Sequence, residues 1–287
     1  MFRITSSFEY IDPAFKPDLS ATYDISILAS QDGFSFCVVN PLSYHVLLIK
    51  EYKFAQHLTI EDIAGLFGEI NYWDQNLRLP YAKSRLMYAS SRFTLVPEVL
   101  FMPAKAKNII EALYMSYHTS ETIKTNHIKT IDAWCISAIP TPLYIALNNH
   151  QPMVEWYHPS VPICERMVTE RYTGGETQLI VNKNQLFFEL YITENGHLTL
   201  FNQYTCYDKN DLTYFVVNAV EQLNLNAAKI TLRLLGDFEQ NQEYSQLLKK
   251  YINTVILEKN PSIFHGQVVD KIPVYRYLNL MNLHLCE

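Results

Sequence analysis

Glycine is scarce in this chain of 287 residues, which has 8 of them. Glycine lets backbone approach a phosphate closely, so few places here can hold a nucleotide by the main chain. Long apolar runs are also missing. No window reaches the roughly 20 apolar residues that a membrane-spanning helix needs. Residues 1–9 include Glu9, lack an apolar core and do not read as a signal peptide. The five cysteines (Cys37, Cys135, Cys164, Cys206 and Cys286) are scattered and odd in number. That excludes a disulfide framework and predicts reduced, buried thiols in a cytoplasmic protein. Lysine and arginine form no basic run and the formal net charge is −6. The electrostatic footprint of a nucleic-acid partner is therefore lacking.

Aromatic residues are plentiful, with 20 Tyr and 15 Phe. Each buries a large area, so a sizeable core can form, and at this length two lobes are expected. A search for internal repeats finds two segments 152 residues apart, with identities at Phe36/Phe188, His45/His197, Leu48/Leu200 and Tyr52/Tyr204. Each segment shows three β-rich runs: about 23–30, 34–40 and 44–53 in the first, about 177–182, 185–192 and 197–205 in the second. Turn residues separate them, including Asp32-Gly33 and Asn195-Gly196.

The third run of each copy leads into an amphipathic helix. The spacing of Ile60, Ile63, Ala64 and Phe67 matches that of Leu212, Phe215, Val216 and Ala219. The N-cap candidates at the aligned position are Thr59 and Asp211. A further strand follows each helix, near 85–89 and 229–235. Between the copies, 104–117 reads as a helix and 131–139 as a buried strand, with Pro140 or Pro142 opening another helix. Breakers near Pro162 and at Gly174 and Gly175 place the boundary between lobes 1–172 and 173–287, with 169–175 as a connector. Residues 272–285 alternate and predict a closing strand, on which His284 and Cys286 would share a face.

Two halves of this βββαβ type are similar to the actin-like ATPase fold, a two-lobed α/β, ribonuclease H-like architecture. The segment Ser137, Ala138, Ile139, Pro140 with Leu143 resembles the pilus-assembly and division branch of that superfamily. Over nearly its full length the chain resembles a bacterial family, domain of unknown function 3822. That resemblance rests on Ile25 to Ile27, on Asp32 to Cys37, on Leu95 to Glu98, and on the closing Leu283 to Glu287. It implies a fold and no established activity.

The superfamily resemblance also implies where a nucleotide would sit: on two Asp-x-Gly hairpin turns and a Gly-rich adenosine loop. The first turn here has Asp32 and Gly33, adjacent and at the hairpin tip. The second has Asn182 and Lys183, with neither carboxylate nor glycine, and the third loop offers Gly236 and Asp237. Asp-Gly at a hairpin tip is also ordinary turn chemistry, and Lys183 on a turn is also an ordinary solvated lysine. With all three motifs eroded, no cofactor and no ATP hydrolysis are expected. The alternative is Mg-ATP bound at those six residues through diverged loops. No nucleophile elbow, dinucleotide fingerprint or Walker loop is present, and no histidine has metal-ligand spacing. His45 and His197 read as structural equivalents. Tyr72-Trp73 and Trp156-Tyr157 are candidate contact surfaces, with core packing as the alternative reading, and the expected role is binding of a protein partner across an interlobe cleft.

Overall fold

A computed structural model describes residues 4–55, 58–114, 120–151, 153–169, 177–184, 187–238, 243–260 and 263–286. In chain order the first elements are β1 (Ile4–Ile11), β2 (Asp24–Ala29), β3 (Gly33–Asn40), β4 (His45–Phe54), α1 (Ile60–Trp73) and β5 (Lys83–Tyr88). Then come β6 (Phe93–Pro97), α2 (Ala106–Leu113), β7 (Glu121–Ile128), β8 (Ala133–Pro140), α3 (Thr141–His150), β9 (Glu155–Tyr157) and α4 (Ser160–Thr169). The remainder are β10 (Gln178–Lys183), β11 (Phe187–Glu194), β12 (His197–Thr205), α5 (Lys209–Gln222), β13 (Thr231–Gly236), α6 (Glu243–Leu248), β14 (Thr254–Leu257), α7 (Gln267–Lys271) and α8 (Val274–Leu283).

These form two compact units. The first holds residues 1–165 and takes back 262–272 and 279–287; the second holds 166–261 and 273–278. The sheet of the first runs β1-β4-β3-β2-β5-β9 and that of the second β12-β11-β10-β13-β14. Apart from β1 the orders are the same: an antiparallel meander with two parallel strands added beside its first strand. A small third sheet, β6-β8-β7, carries α2 on a core of Ala106, Ile110, Ile136 and Ala138.

Register refines the repeat. Phe34 stands opposite Tyr52 and Phe188 opposite Tyr204, and both β3 and β11 shift register near their ends, at Val38/Val39 and Ile192/Thr193. His45, Leu48 and Tyr52 therefore correspond to His197, Leu200 and Tyr204, as the 152-residue spacing predicts. Phe188 corresponds to Phe34 and not to Phe36, because the turn between this strand and the next is two residues shorter in the second copy. On one face of each sheet, alternate side chains bury against the helices: Ile25, Ile27, Phe34, Phe36 and Leu48 in the first, Leu179, Val181, Phe188, Leu190 and Leu232 in the second.

The opposite faces place polar and charged groups among buried apolar ones. Arg85 on β5 binds Asp24 at 3.2 Å and Glu155 at 3.2 Å. Arg233 occupies the corresponding place on β13 and binds Gln178 at 3.1 Å and both Glu258 oxygens at 3.0 Å. A buried guanidinium needs such partners, since an unpaired one would carry the full desolvation cost.

Three expectations are corrected. The N-cap of α5 is Asp208, whose carboxylate accepts from the amides of Asn210 at 2.7 Å and Asp211 at 3.0 Å. Ile60 follows His45 by 15 residues but Lys209 follows His197 by 12, so a fixed offset overshoots the second cap by three. The tail is not a closing strand: α8 covers 274–283, and His284 bonds the Met281 carbonyl at 2.6 Å in the turn that ends it. Alternating apolar residues there satisfy a helix because it is buried on several sides. Trp156 and Tyr157 lie on β9 and are buried, so they are core and not surface, whereas Tyr72 is 78% exposed. Gly174 and Gly175, most of the 169–175 connector, and Ser116 and Tyr117 lie outside the described residues.

Candidate functional site

Two groups of loops hold the six candidate residues, one in each unit. In the first, β2 ends at Ala29 and the chain turns through Ser30 to Gly33, closed by the Ser30 amide on the Gly33 carbonyl at 2.9 Å. The Ser30 hydroxyl donates to the Asp32 carboxylate and also reaches the Gly33 carbonyl at 3.0 Å. The Asp32 carbonyl accepts from the Phe54 amide at 2.8 Å. A Cβ on Gly33 would lie 2.7 Å from the Tyr52 carbonyl oxygen, so glycine is required here by strand packing alone. Asp32 stays partly exposed at the turn.

In the second unit the parallel strands β10 and β13 end side by side, with Lys183 opposite Gly236. This brings Asn182, Lys183, Gly236 and Asp237 together. Gly236 has φ +88°, and a Cβ there would sit 2.2 Å from the Lys183 carbonyl oxygen and 3.0 Å from Asn182 Oδ1. Both the positive φ and the close approach demand glycine. The Asp237 amide donates to the Lys183 carbonyl at 2.8 Å. The Lys183 ammonium donates to the carbonyls of Asn184 at 3.3 Å and Asp237 at 3.2 Å and lies 5.5 Å from the centre of the Tyr244 ring. The Asp237 carboxylate pairs with Arg276 at 3.1 Å. Asn182 is buried and its amide donates to Glu189 at 3.0 Å.

Chemically, the charged groups of this second cluster already have partners in the chain. A phosphate would have to displace two carbonyls from Lys183, and a magnesium ion would have to displace Arg276 from Asp237. Among the described residues no group of three or more His, Cys, Asp or Glu side chains could hold a metal ion.

Sequence reasoning missed several residues that shape these regions. Arg276 sits on a segment read as strand. Glu189 falls in an apolar run, where one acidic residue gives no local signal. Asp12 accepts from the amide of Ala14 at 2.9 Å and from that of Gln267, 255 residues away in the chain, at 2.8 Å, and faces His45 at 3.1 Å. His45 is thus tied into a fold contact, while its counterpart His197 is exposed.

Comparison with known proteins agrees with this architecture. A protein with actin-like ATPase fold and unknown function from Bacteroides thetaiotaomicron VPI-5482 superposes with TM-score 0.81 at 23% identity, over 95% of this chain and 99% of that one. The PilM–PilN type IV pilus biogenesis complex gives TM-score 0.55 at 12% identity, over 91% of this chain and 97% of the other. The ethanolamine utilization protein EutJ from Carboxydothermus hydrogenoformans gives 0.50 at 8% identity, over 96% and 92%. No curated protein matches the sequence. The fold is therefore that of the actin-like ATPases. The family model described as "Protein of unknown function (DUF3822)" matches residues 12–255, and the chain belongs to that family.

Proposed function

We propose that this protein is an actin-like module that does not hydrolyse ATP and works by binding a protein partner. The observation that carries this is the occupancy of the second cluster, where Lys183 is held by two backbone carbonyls and Asp237 by Arg276. The second turn also lacks the carboxylate and glycine of its counterpart. A protein-binding role is supported by the PilM–PilN complex, which couples this fold to a second protein. Tyr72, at 78% exposure on the end of α1, is the aromatic we assign to such a contact. No cofactor or nucleic acid belongs to this reading, and the proposed compartment is the cytoplasm. Among the described residues no helix is long and apolar enough to cross a membrane.

We further propose that the two sheets descend from one duplicated module, on the strength of their shared strand order, matching register shifts and matching arginines. The proposed lobes meet at 172/173, with the C-terminal residues returning to the first unit.

The test is the thermal midpoint with and without millimolar Mg-ATP, Mg-ADP and Mg-GTP. A ligand at about 100 times its Kd stabilises by roughly 2.7 kcal/mol, which moves the midpoint of a chain this size by several degrees. No shift is expected with any of the three. A clear shift, or magnesium-dependent ATP hydrolysis by pure protein, would overturn the proposal and put nucleotide on Asp32, Gly33, Asn182, Lys183, Gly236 and Asp237.

A further inference from the structure

The second unit buries a carboxylic acid that no cation pairs with among the described residues. Glu189 lies in the middle of β11 and is fully buried. Two donors converge on its Oε2, the Tyr191 hydroxyl at 2.6 Å and the Asn182 amide at 3.0 Å. Its Oε1 is equally buried and has no hydrogen-bond partner among the described residues. The two donors favour a carboxylate and burial favours the neutral acid; Oε1, which no donor reaches, is the oxygen left to carry a proton.

The groups around it support that assignment. On β10 the cation is Lys183, held by the Asn184 and Asp237 carbonyls. On β13 it is Arg233, held by Gln178 and Glu258. Opposite Glu189 on β12 stands Gln203; the titratable residues of that strand are His197, which is exposed, and Tyr204, which stacks on Phe215 of α5. Arg276 of α8 is paired with Asp237. An isolated carboxylate moved out of water costs so much that it takes up a proton instead. In the first sheet the corresponding position is Ser35, opposite Glu51, so this buried acid is particular to the second unit.

Glu189 also touches the loop cluster. The amide it holds belongs to Asn182, whose other atom, Oδ1, packs under Gly236. We propose that Glu189 is a buried proton switch: it is a neutral acid in the folded protein, and loss of its proton disturbs the Asn182–Lys183 end of β10 and the Gly236 turn packed on it. Burial pushes this carboxyl up to about 7, partly opposed by the bonds from Tyr191 and Asn182. A raised value means the folded state binds the proton more tightly than the unfolded one. The stabilisation is then complete below the unfolded value of 4.5 and is lost as pH rises through about 7. This proposal does not depend on whether a nucleotide or a partner binds.

The experiment compares wild type with Glu189→Gln by chemical denaturation between pH 4.5 and 8.5, and follows the backbone amides of Lys183 and Asp237 by NMR over the same range. Wild type should lose stability relative to E189Q as pH rises, and those amides should shift with a midpoint near 7 in wild type and stay constant in E189Q. Parallel stability curves, or amides that shift alike in both proteins, would overturn the proposal. Should E189Q fail to fold, the glutamate side-chain carbons of wild type decide it by NMR titration. One resonance titrating near 7 supports the switch, and all titrating in the ordinary glutamate range refutes it.

Discussion

At the scale of single residues, polar groups inside this protein are made tolerable by specific geometry. His158 is fully buried, stacked on Phe93 with ring centres 3.6 Å apart. Its Nδ1 accepts from the Ser160 amide at 3.1 Å, which fixes the tautomer: the proton is on Nε2 and is donated to the Ser90 carbonyl at 3.0 Å. A second proton would have to enter at Nδ1, against that amide, so burial and geometry both keep the ring neutral, with a pKa pushed down to about 3. The unfolded ring takes its proton near 6.5. Between the two values the unfolded chain binds more protons, and stability falls as pH falls from about 6.5 toward 3. Replacing His158 with Gln should flatten this part of the stability–pH curve relative to wild type, measured by urea denaturation. An unchanged slope would show that the ring is not buried as described.

At the scale of elements, the two longest helices begin alike although their capping residues differ. Thr59 and Asp62 form a reciprocal capping box on α1, with bonds of 3.1 and 3.2 Å. On α5, Asp208 caps and Asp211 reaches back to the Tyr207 amide at 2.9 Å. Each cap satisfies amides that have no partner within the helix. Thr59→Ala and Asp208→Ala should each cost about 1 kcal/mol of unfolding free energy. Asp211→Asn keeps a side-chain oxygen for Tyr207 and should cost clearly less. If Asp211 proved the more costly of the two aspartates, the sequence-based cap and not the observed one would be correct. The first cap was legible because a threonine preceded an apolar period at the expected spacing. The second was misplaced because loop length is not written in helix periodicity.

At the scale of the whole molecule, the first unit depends on the last residues of the chain. Val46 donates to the His265 carbonyl at 2.9 Å, and the Asp12 carboxylate accepts the Gln267 amide at 2.8 Å. Phe264, Val268, Leu283 and Cys286 are buried. All three tryptophans, Trp73, Trp134 and Trp156, belong to this unit, so tryptophan fluorescence reports on it selectively. Deleting residues 262–287 should lower the fluorescence-detected midpoint by more than about 4 °C, beyond the shift that roughly 1 kcal/mol produces at this size. An unchanged midpoint would mean that the first unit folds without its returning segment.

The sequence by itself determined the three strands of each meander, their order and the first helix cap. Each of these follows from local periodicity, turn chemistry or the presence of particular residues. Tertiary structure decided the rest. The tail's burial on several sides made a helix of an alternating pattern. Parallel strands ending together gave Gly236 and Lys183 their close approach, and the same packing closed Lys183 and Asp237 with partners distant in the chain. The burial of Glu189 and His158 likewise depends on what surrounds a strand or a turn, and no stretch of sequence carries that.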